Sequence, residues 1–464
     1  MNPEIVEAQQ NVAIQIPEQN QNKIPEQIPE QNVADSVRLK LESIPLSTTA
    51  QCSIYRVRER FRKISEFAHS PEMISIGPFH RATPSLAAME DHKLRYAKAL
   101  LSRTTPAGRN KLEECVACLE NIEAEARKCY SEPISLNKKD FIEMMLIDGL
   151  FMIELFTKKA SERILIERGD PIFSKIWGSS SIARDLILLE NQLPMVVLES
   201  LFNVLELNKG EPGDVSLNIL ALRFLDPLMP RGTSLIESSL SSHQGKHILD
   251  LLSKTFLPPK VGNDEEKSWK SIPNVTELKR AGVKFVKSST NGSFLNIKFK
   301  DGVLEIPPVI IQDQTDTLLR NFIASEQCCD GDVTCMASYA FLMDSLIDTA
   351  QDVAVLRKQG IIINYLGGDE DVASLFNKLC SEVSVANFYY SKLCDDVNTY
   401  YNTRWHGWGA AFRRDYLSSP WKFVSLVGAI ILLILTFLAT MFAILSYNYQ
   451  IKHGNQASPP SHKS

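Results

Sequence analysis

The sequence carries no run of positive charge. Its 50 Lys and Arg stand against 55 Asp and Glu, for a formal net charge of -5. A nucleic-acid binder needs a basic face, and no cluster of Lys or Arg along the chain is long enough for a polybasic lipid site. The compact motifs of catalysis are missing too: no G-x-x-x-x-G-K-[ST], no G-x-G-x-x-G after a strand, no H-E-x-x-H, no G-x-S-x-G and no kinase set. Their absence removes the motif-borne forms of those chemistries and leaves acid–base pairs that meet only in space. The nine cysteines are odd in number. Cys115 and Cys118 share one face of a helical stretch that also holds Cys129, but no second Cys or His pair follows at short spacing. They read as small buried thiols rather than zinc ligands, so neither a metal nor a cofactor is expected. The thiol count also fits a reducing compartment.

A secretory leader is missing as well, since the N-terminus has no apolar core and no small-residue cleavage site. Residues 1–36 instead carry Ile-Pro-Glu-Gln three times, at Ile16, Ile24 and Ile28, among Gln and Asn. Proline at this density blocks helix and sheet, and so few apolar residues build no core, so this part reads as a disordered arm.

What is present in quantity is one apolar run. Phe423–Leu445 contains no charge and nothing more polar than Ser425, Thr436 and Thr440. As a helix it is roughly 35 Å long, enough for a bilayer core of about 30 Å. Trp421 stands at one edge and Tyr447 and Tyr449 at the other, where amphipathic rings prefer the interface. Residues 418–447 therefore read as a membrane-anchoring segment and 448–464 as a short polar tail.

Between arm and anchor, residues 37–417 read as one mainly α-helical domain. Asp140–Phe156 is an apolar helix with Asn137 or Asp140 as N-cap, too short and too charged for a second span. Ile182–Phe202 reads as a helix kinked or restarted at Pro194, Met336–Gly360 as a long run, and Phe388–Leu417 as a long aromatic-rich helix. Near 283–306 the period changes from 3.6 to 2. Three short alternating runs are separated by Asn291-Gly292 and Asp301-Gly302, which predicts a small antiparallel β-meander, the single sheet of the chain.

Two groups of polar residues stand out. Glu190, Asn191 and Gln192 interrupt an apolar segment, and if buried they must find hydrogen-bond partners. They either line a ligand pocket or form a polar network that seats neighbouring helices, and the network is the reading taken. Asp148 and His80 join Glu190 as the residues an acid–base enzyme would use, although His80 has no visible partner at a useful spacing.

Several ordered stretches carry a resemblance. They include Ser75-IGPFH with Met89-E-x-x-K-x-Arg95-Tyr96, Asp148-GLFMIELF, Asp185-LILLENQLP, His247-ILDLL, Thr276-ELKRAGVKF, Phe294-LNIKFKDGVLEIP, Leu318-LRNFIASEQC and Val397-N-x-Tyr400-Tyr401. From about Val37 to Tyr449 the chain resembles the plant family called domain of unknown function 247, or UPF0481. The departure is His80-Arg81-Ala82, where relatives look like His-His-Gly. The resemblance implies a mostly helical domain with a C-terminal membrane helix and no established enzymatic activity.

These readings converge on a single-pass, membrane-anchored protein whose domain recognises another protein. The alternative is a membrane-bound hydrolase with a carboxylate/His pocket. The bilayer and a second protein are the expected partners, and nucleic acid is not. With the span near the C-terminus and no leader, the expected topology is tail-anchored with a cytosolic domain. Arg404, Arg413, Arg414 and Lys422 before the span, against Lys452 and Lys463 after it, point the same way.

Overall fold

The computed structural model describes residues 33–43, 52–104, 110–161, 164–175, 177–207, 216–230, 244–257, 270–288, 293–328, 334–385, 387–403 and 420–454. Most of the Pro-rich arm, Asn291-Gly292, and Trp405, Trp408 and Phe412 lie outside them. The chain divides into two units, Met1–Ala50 and Gln51–Ser464. The first holds helix α1, Val33–Ser43, on which Val33, Val37 and Leu41 are exposed.

The second unit is built in two helical layers. α2 is Glu59–Ile64, α3 Glu90–Thr104, α4 Lys111–Lys128 and α5 Lys138–Ala160. α6 is Gly178–Leu186, α7 Met195–Val204 and α8 Leu217–Leu225. α5 is the axis of the first layer, because α3, α4, α7 and α8 all pack on it. Asn137 starts it by accepting a bond from the Asp140 amide at 2.9 Å. Surrounded on every side, α5 buries Phe141, Met145, Phe151, Leu155 and Phe156 together rather than a single stripe. Its buried charges are each paired: Asp148 with Lys93, Glu154 with Arg103 and Lys158 with Asp170.

The second layer gathers round another helix. α9 is Ile248–Lys254, α10 Val275–Arg280 and α11 Asp313–Glu326. α12 is Cys335–Leu346, α13 Ala350–Lys358, α14 Asp369–Leu379 and α15 Ser391–Asn402. α11 touches α6, α9, α12 and α14. The expected single run Met336–Gly360 is two helices, since Thr349 and Asp352 form a capping box that starts α13 afresh. Ile182–Phe202 is likewise two helices. Pro194 caps α7 with an extended backbone, and the polar residues before it bind other segments instead of continuing a helix. Of the expected helix Phe388–Leu417, Phe388–Tyr390 form a turn, the helix α15 starts only at Ser391, and 404–417 lie outside the described residues.

The expected antiparallel meander is corrected to a mixed sheet. β1, Lys284–Lys287, and β2, Lys298–Lys300, flank β3, Val303–Ile306. β2 and β3 are antiparallel, but β1 runs parallel to β3. The Asp301-Gly302 hairpin forms as read, with φ of 51° and 76° at its two positions, the primed turn that suits sheet twist. β1 does not hairpin onto β2 because the connection enters the core. Phe294 packs against Phe256 and Tyr339, and Tyr390 donates a hydrogen bond to the Leu295 carbonyl at 2.6 Å. The chain then emerges on the far side of β3. A second sheet was not legible: β4, Val309–Ile311, pairs in parallel with β5, Ile362–Asn364.

α16 is Pro420–Gly454. Within it Val424–Tyr449 is the one helix among the described residues long and apolar enough to cross a membrane, and none of it is buried.

Candidate functional site

The loop Ile187–Pro194 between α6 and α7 is wholly buried, so each of its polar groups needs a partner inside the protein. It finds most of them in the segment from Ser53 to His80, chiefly in the non-helical stretches on either side of α2. Asn191 accepts from the Ile76 amide at 2.7 Å and donates to the carbonyls of Ile74 and Asp185, both at 3.0 Å. Gln192 donates to the carbonyls of Leu186 and Leu188 at 2.7 and 2.8 Å and accepts from the Leu249 amide at 3.1 Å. One Glu190 oxygen accepts from the Val57 amide at 2.7 Å and from Arg62. Its other oxygen lies 3.1 Å from His80 Nε2, near enough for an ion pair but off the line of a hydrogen bond.

Two more carboxylates hold the same segment from below. Asp185 accepts from the amides of Glu72, Met73 and Ile74, the closest at 2.6 Å, and from Arg184 at 2.8 Å. Asp148 accepts from the Gly77 amide at 2.9 Å and pairs with Lys93 at 2.7 Å, while Lys93 also donates to the Ser75 carbonyl. The two helical layers meet at Asn321 of α11. It accepts from the Leu189 amide at 2.9 Å and donates to the Ala68 carbonyl at 2.7 Å.

Burial and pairing pull the carboxyls in different directions. For Asp148 and Asp185, burial dominates and raises both, despite Lys93 for the first and three amides for the second. For Glu190, burial also raises the carboxyl, but His80, Arg62 and the Val57 amide together outweigh it, and the net direction is down. Glu190 therefore stays an anion beside His80 at neutral pH.

Gly77 marks where backbone meets backbone. Its φ is +73°, and a Cβ there would stand 2.6 Å from the Gln192 carbonyl oxygen. Gly77→Ala combines left-handed strain with a clash that no side chain can relieve. We expect a loss of about 2–4 kcal/mol, seen as a lower urea midpoint.

Acid should loosen the hub through a neighbour. His247 is buried, donates from Nε2 to the Ser53 carbonyl at 3.0 Å and caps α9 through Nδ1. Burial lowers it to about 4. The unfolded chain, with an ordinary histidine near 6.5, then binds the extra proton between those values. Stability from this group is complete above about 6.5 and is lost as pH falls toward 4. His247→Asn, which keeps a capping group, should reduce the loss between pH 6.5 and 4 by up to about 3 kcal/mol. Thermal melts across that range check it.

Of the residues singled out from sequence, Asn191, Asp148 and Glu190 thus converge on the stretch Ile74–His80, and Gln192 ties the loop to α9 instead. A shallow depression lies elsewhere, lined by Asp348, Thr349, Glu370, Ser374, Asn377 and Lys378. Among the described residues no three His, Cys, Asp or Glu stand together as a metal site would require. Sequence reasoning missed Asp185, Lys93 and Asn321 as parts of the hub. Asp185 and Asn321 each follow an arginine, and Lys93 stands among Glu90, Asp91, His92 and Arg95, so none of the three stands out from its neighbours in the sequence.

Residues 54–435 match the family described as plant protein of unknown function, DUF247. The chain belongs to this family. It is 32% identical to UPF0481 protein At3g47200 of Arabidopsis thaliana, over 88% of this chain and 90% of that one. It is 23% identical to Putative UPF0481 protein At3g02645 of the same plant, over 91% of this chain and 96% of the relative. No solved structure matches it. In this UPF0481 chain the motif Ser75-IGPFH supplies the gripped backbone, and Asp185-LILLENQLP supplies most of the grip. Two of the stretches that carry the resemblance thus meet, in this chain, at the hub.

Proposed function

We propose that the chain is a single-pass membrane protein whose helical domain acts by binding another protein. The observation that carries the anchoring is α16, on which Ile431, Leu432, Leu433, Phe437 and Phe442 are all more than half exposed. A helix of this length, apolar all round, is stable in hydrocarbon and not in water. The binding reading draws its support from the hub. Asp148, Asp185 and Asn191 are all buried and committed to holding backbone, an arrangement that makes a rigid scaffold rather than a reactive site. Proximity labelling of the full chain in its native membrane tests it. Recurrent enrichment of one or a few proteins is expected, and labelling no different from that of the bare α16 anchor would contradict it.

The domain is placed in the cytosol on the charge bias around the span. Two N-x-[ST] sequons, at Asn274 and Asn291, provide the test. Asn274 caps α10 by accepting from the Glu277 amide at 2.9 Å, so Asn274→Asp removes the sequon and keeps the cap. No glycosidase-sensitive shift is expected. A shift abolished by Asn274→Asp with Asn291→Gln would reverse the placement.

A second reading, a hydrolase using a carboxylate/His pair, draws on the 3.1 Å approach of Glu190 to His80. It requires ester or amide hydrolysis by the purified chain that disappears in His80→Gln, a change at a part-exposed ring that leaves Glu190 paired with Arg62.

A further inference from the structure

The sequence gathers basic residues at Arg56–Lys63, and the mixed sheet assembles a second group from residues that are separated along the chain. Strand alternation turns Phe285, Phe299 and Leu304 inward and sends their neighbours outward. Register then sets Lys284, Val303 and Lys300 in one row across the outer face, and Val286, Glu305 and Lys298 in the next. All three lysines are exposed, and none forms an ion pair with a described residue. Val286, at the fourth corner of this face, is 44% exposed. The face is thus three cations and one part-buried carboxylate on a protein of net charge -5.

The position of this sheet in the chain says what covers it. α15 packs on β2, with Tyr400 edge-on to Phe299 at 5.8 Å. The fit is close enough that a Cβ at Gly302, in the β2–β3 turn, would stand 2.5 Å from the Tyr400 ring. α15 is the last described element before α16 begins at Pro420, so the sheet sits beside the point from which the chain leaves for the apolar helix. Seventeen residues, 403–419, span at most about 60 Å. That length permits other faces to meet the bilayer, and three lysines free of ion pairs beside the exit point favour this one.

We propose that the outer face of this sheet, through Lys284, Lys298 and Lys300, docks on the anionic headgroups of the leaflet next to the domain. The inference rests on the anchoring reading above. Each basic residue at an anionic surface is worth roughly fivefold in partition, so three favour the docked orientation about a hundredfold. Val286, beside Lys284 on the edge strand, enters the headgroup layer with them.

The test uses the full chain in vesicles of phosphatidylcholine alone or with 30% phosphatidylserine, and reads amine acetylation by mass spectrometry. Labelling of Lys284, Lys298 and Lys300 should fall at least fivefold in the serine-containing vesicles and recover in 0.5 M salt, where screening shortens to a few ångströms. Exposed Lys139 on α5 should label equally in both, and protection that appears at Lys63, in the basic group Arg56–Lys63, instead of on the sheet overturns the proposal. Equal labelling of the three lysines in both vesicles overturns the proposal. So does protection in both that grows with protein density, which marks a second copy on the face, or protection that needs an added acidic protein. Flotation separates this from the anchor: failure to float with neutral vesicles, with the three lysines still protected on anionic ones, sinks the anchor and keeps the face. In Lys284→Gln/Lys298→Gln/Lys300→Gln, amide exchange in β1 and β2 should no longer slow on anionic vesicles.

Discussion

Asp148→Leu alone should destabilise the domain by about 3–5 kcal/mol, and Asp148→Leu with Lys93→Met should recover most of that loss. Both side chains are almost fully buried and lie 2.7 Å apart. Removing Lys93 leaves Asp148 as an unpaired charge in a dry interior, and removing Asp148 leaves Lys93 only the half-exposed Glu90 at 2.7 Å, whereas removing both leaves neutral groups of similar size. Recovery will be incomplete, because the Gly77 amide and the Ser75 carbonyl lose their partners. Urea midpoints of the two single variants and the double variant give the coupling directly. Additive losses would mean that the pair contributes nothing as a pair.

Asp185→Ala should be of similar size, about 3–5 kcal/mol. One carboxylate accepts from three consecutive amides and also neutralises Arg184, which itself reaches the carbonyls of Phe67 and Ser70. Each orphaned group costs on the order of 1–3 kcal/mol, partly relieved by entering water. The loss should exceed that of Asn191→Leu, which orphans the Ile76 amide and two carbonyls and should cost about 1–3 kcal/mol. Hydrogen exchange should show Glu72–Gly77 opening first in both variants. A domain as stable as the parent in Asp185→Ala would remove the hub from this account.

How much of this was legible in the sequence follows the range of the interactions. α5 and its Asn137 cap, the Asp301-Gly302 turn and α16 are local patterns, written in neighbouring residues, and they were read from them. The parallel placement of β1 on β3 depends on Phe294 finding Phe256 and Tyr339, a packing event across the fold that no turn signal reports. The breaks at Ile187–Pro194 and at Thr349 arise because side chains there prefer backbone partners elsewhere over helix continuation. For the site, Glu190, Asn191, Gln192 and Asp148 were conspicuous as polar residues in apolar stretches. Lys93 was hidden, since at helical spacing among Met89, Tyr96 and Leu100 it reads as a snorkelling surface residue rather than the buried partner of Asp148. Asn321 was hidden likewise, with its partners Ala68 and Leu189 more than a hundred residues away. The basic sheet face was invisible to a search for charge runs, because alternation separates its lysines along the chain and register reunites them.

The central claim is that α16 carries this domain in a membrane. Alkaline carbonate extraction of membranes bearing the full chain, beside a chain ending before Pro420, tests it most directly. The full chain should stay in the pellet and float with lipid, while the shortened one leaves with the supernatant. Release of the full chain by carbonate, or retention of the shortened one, would contradict it.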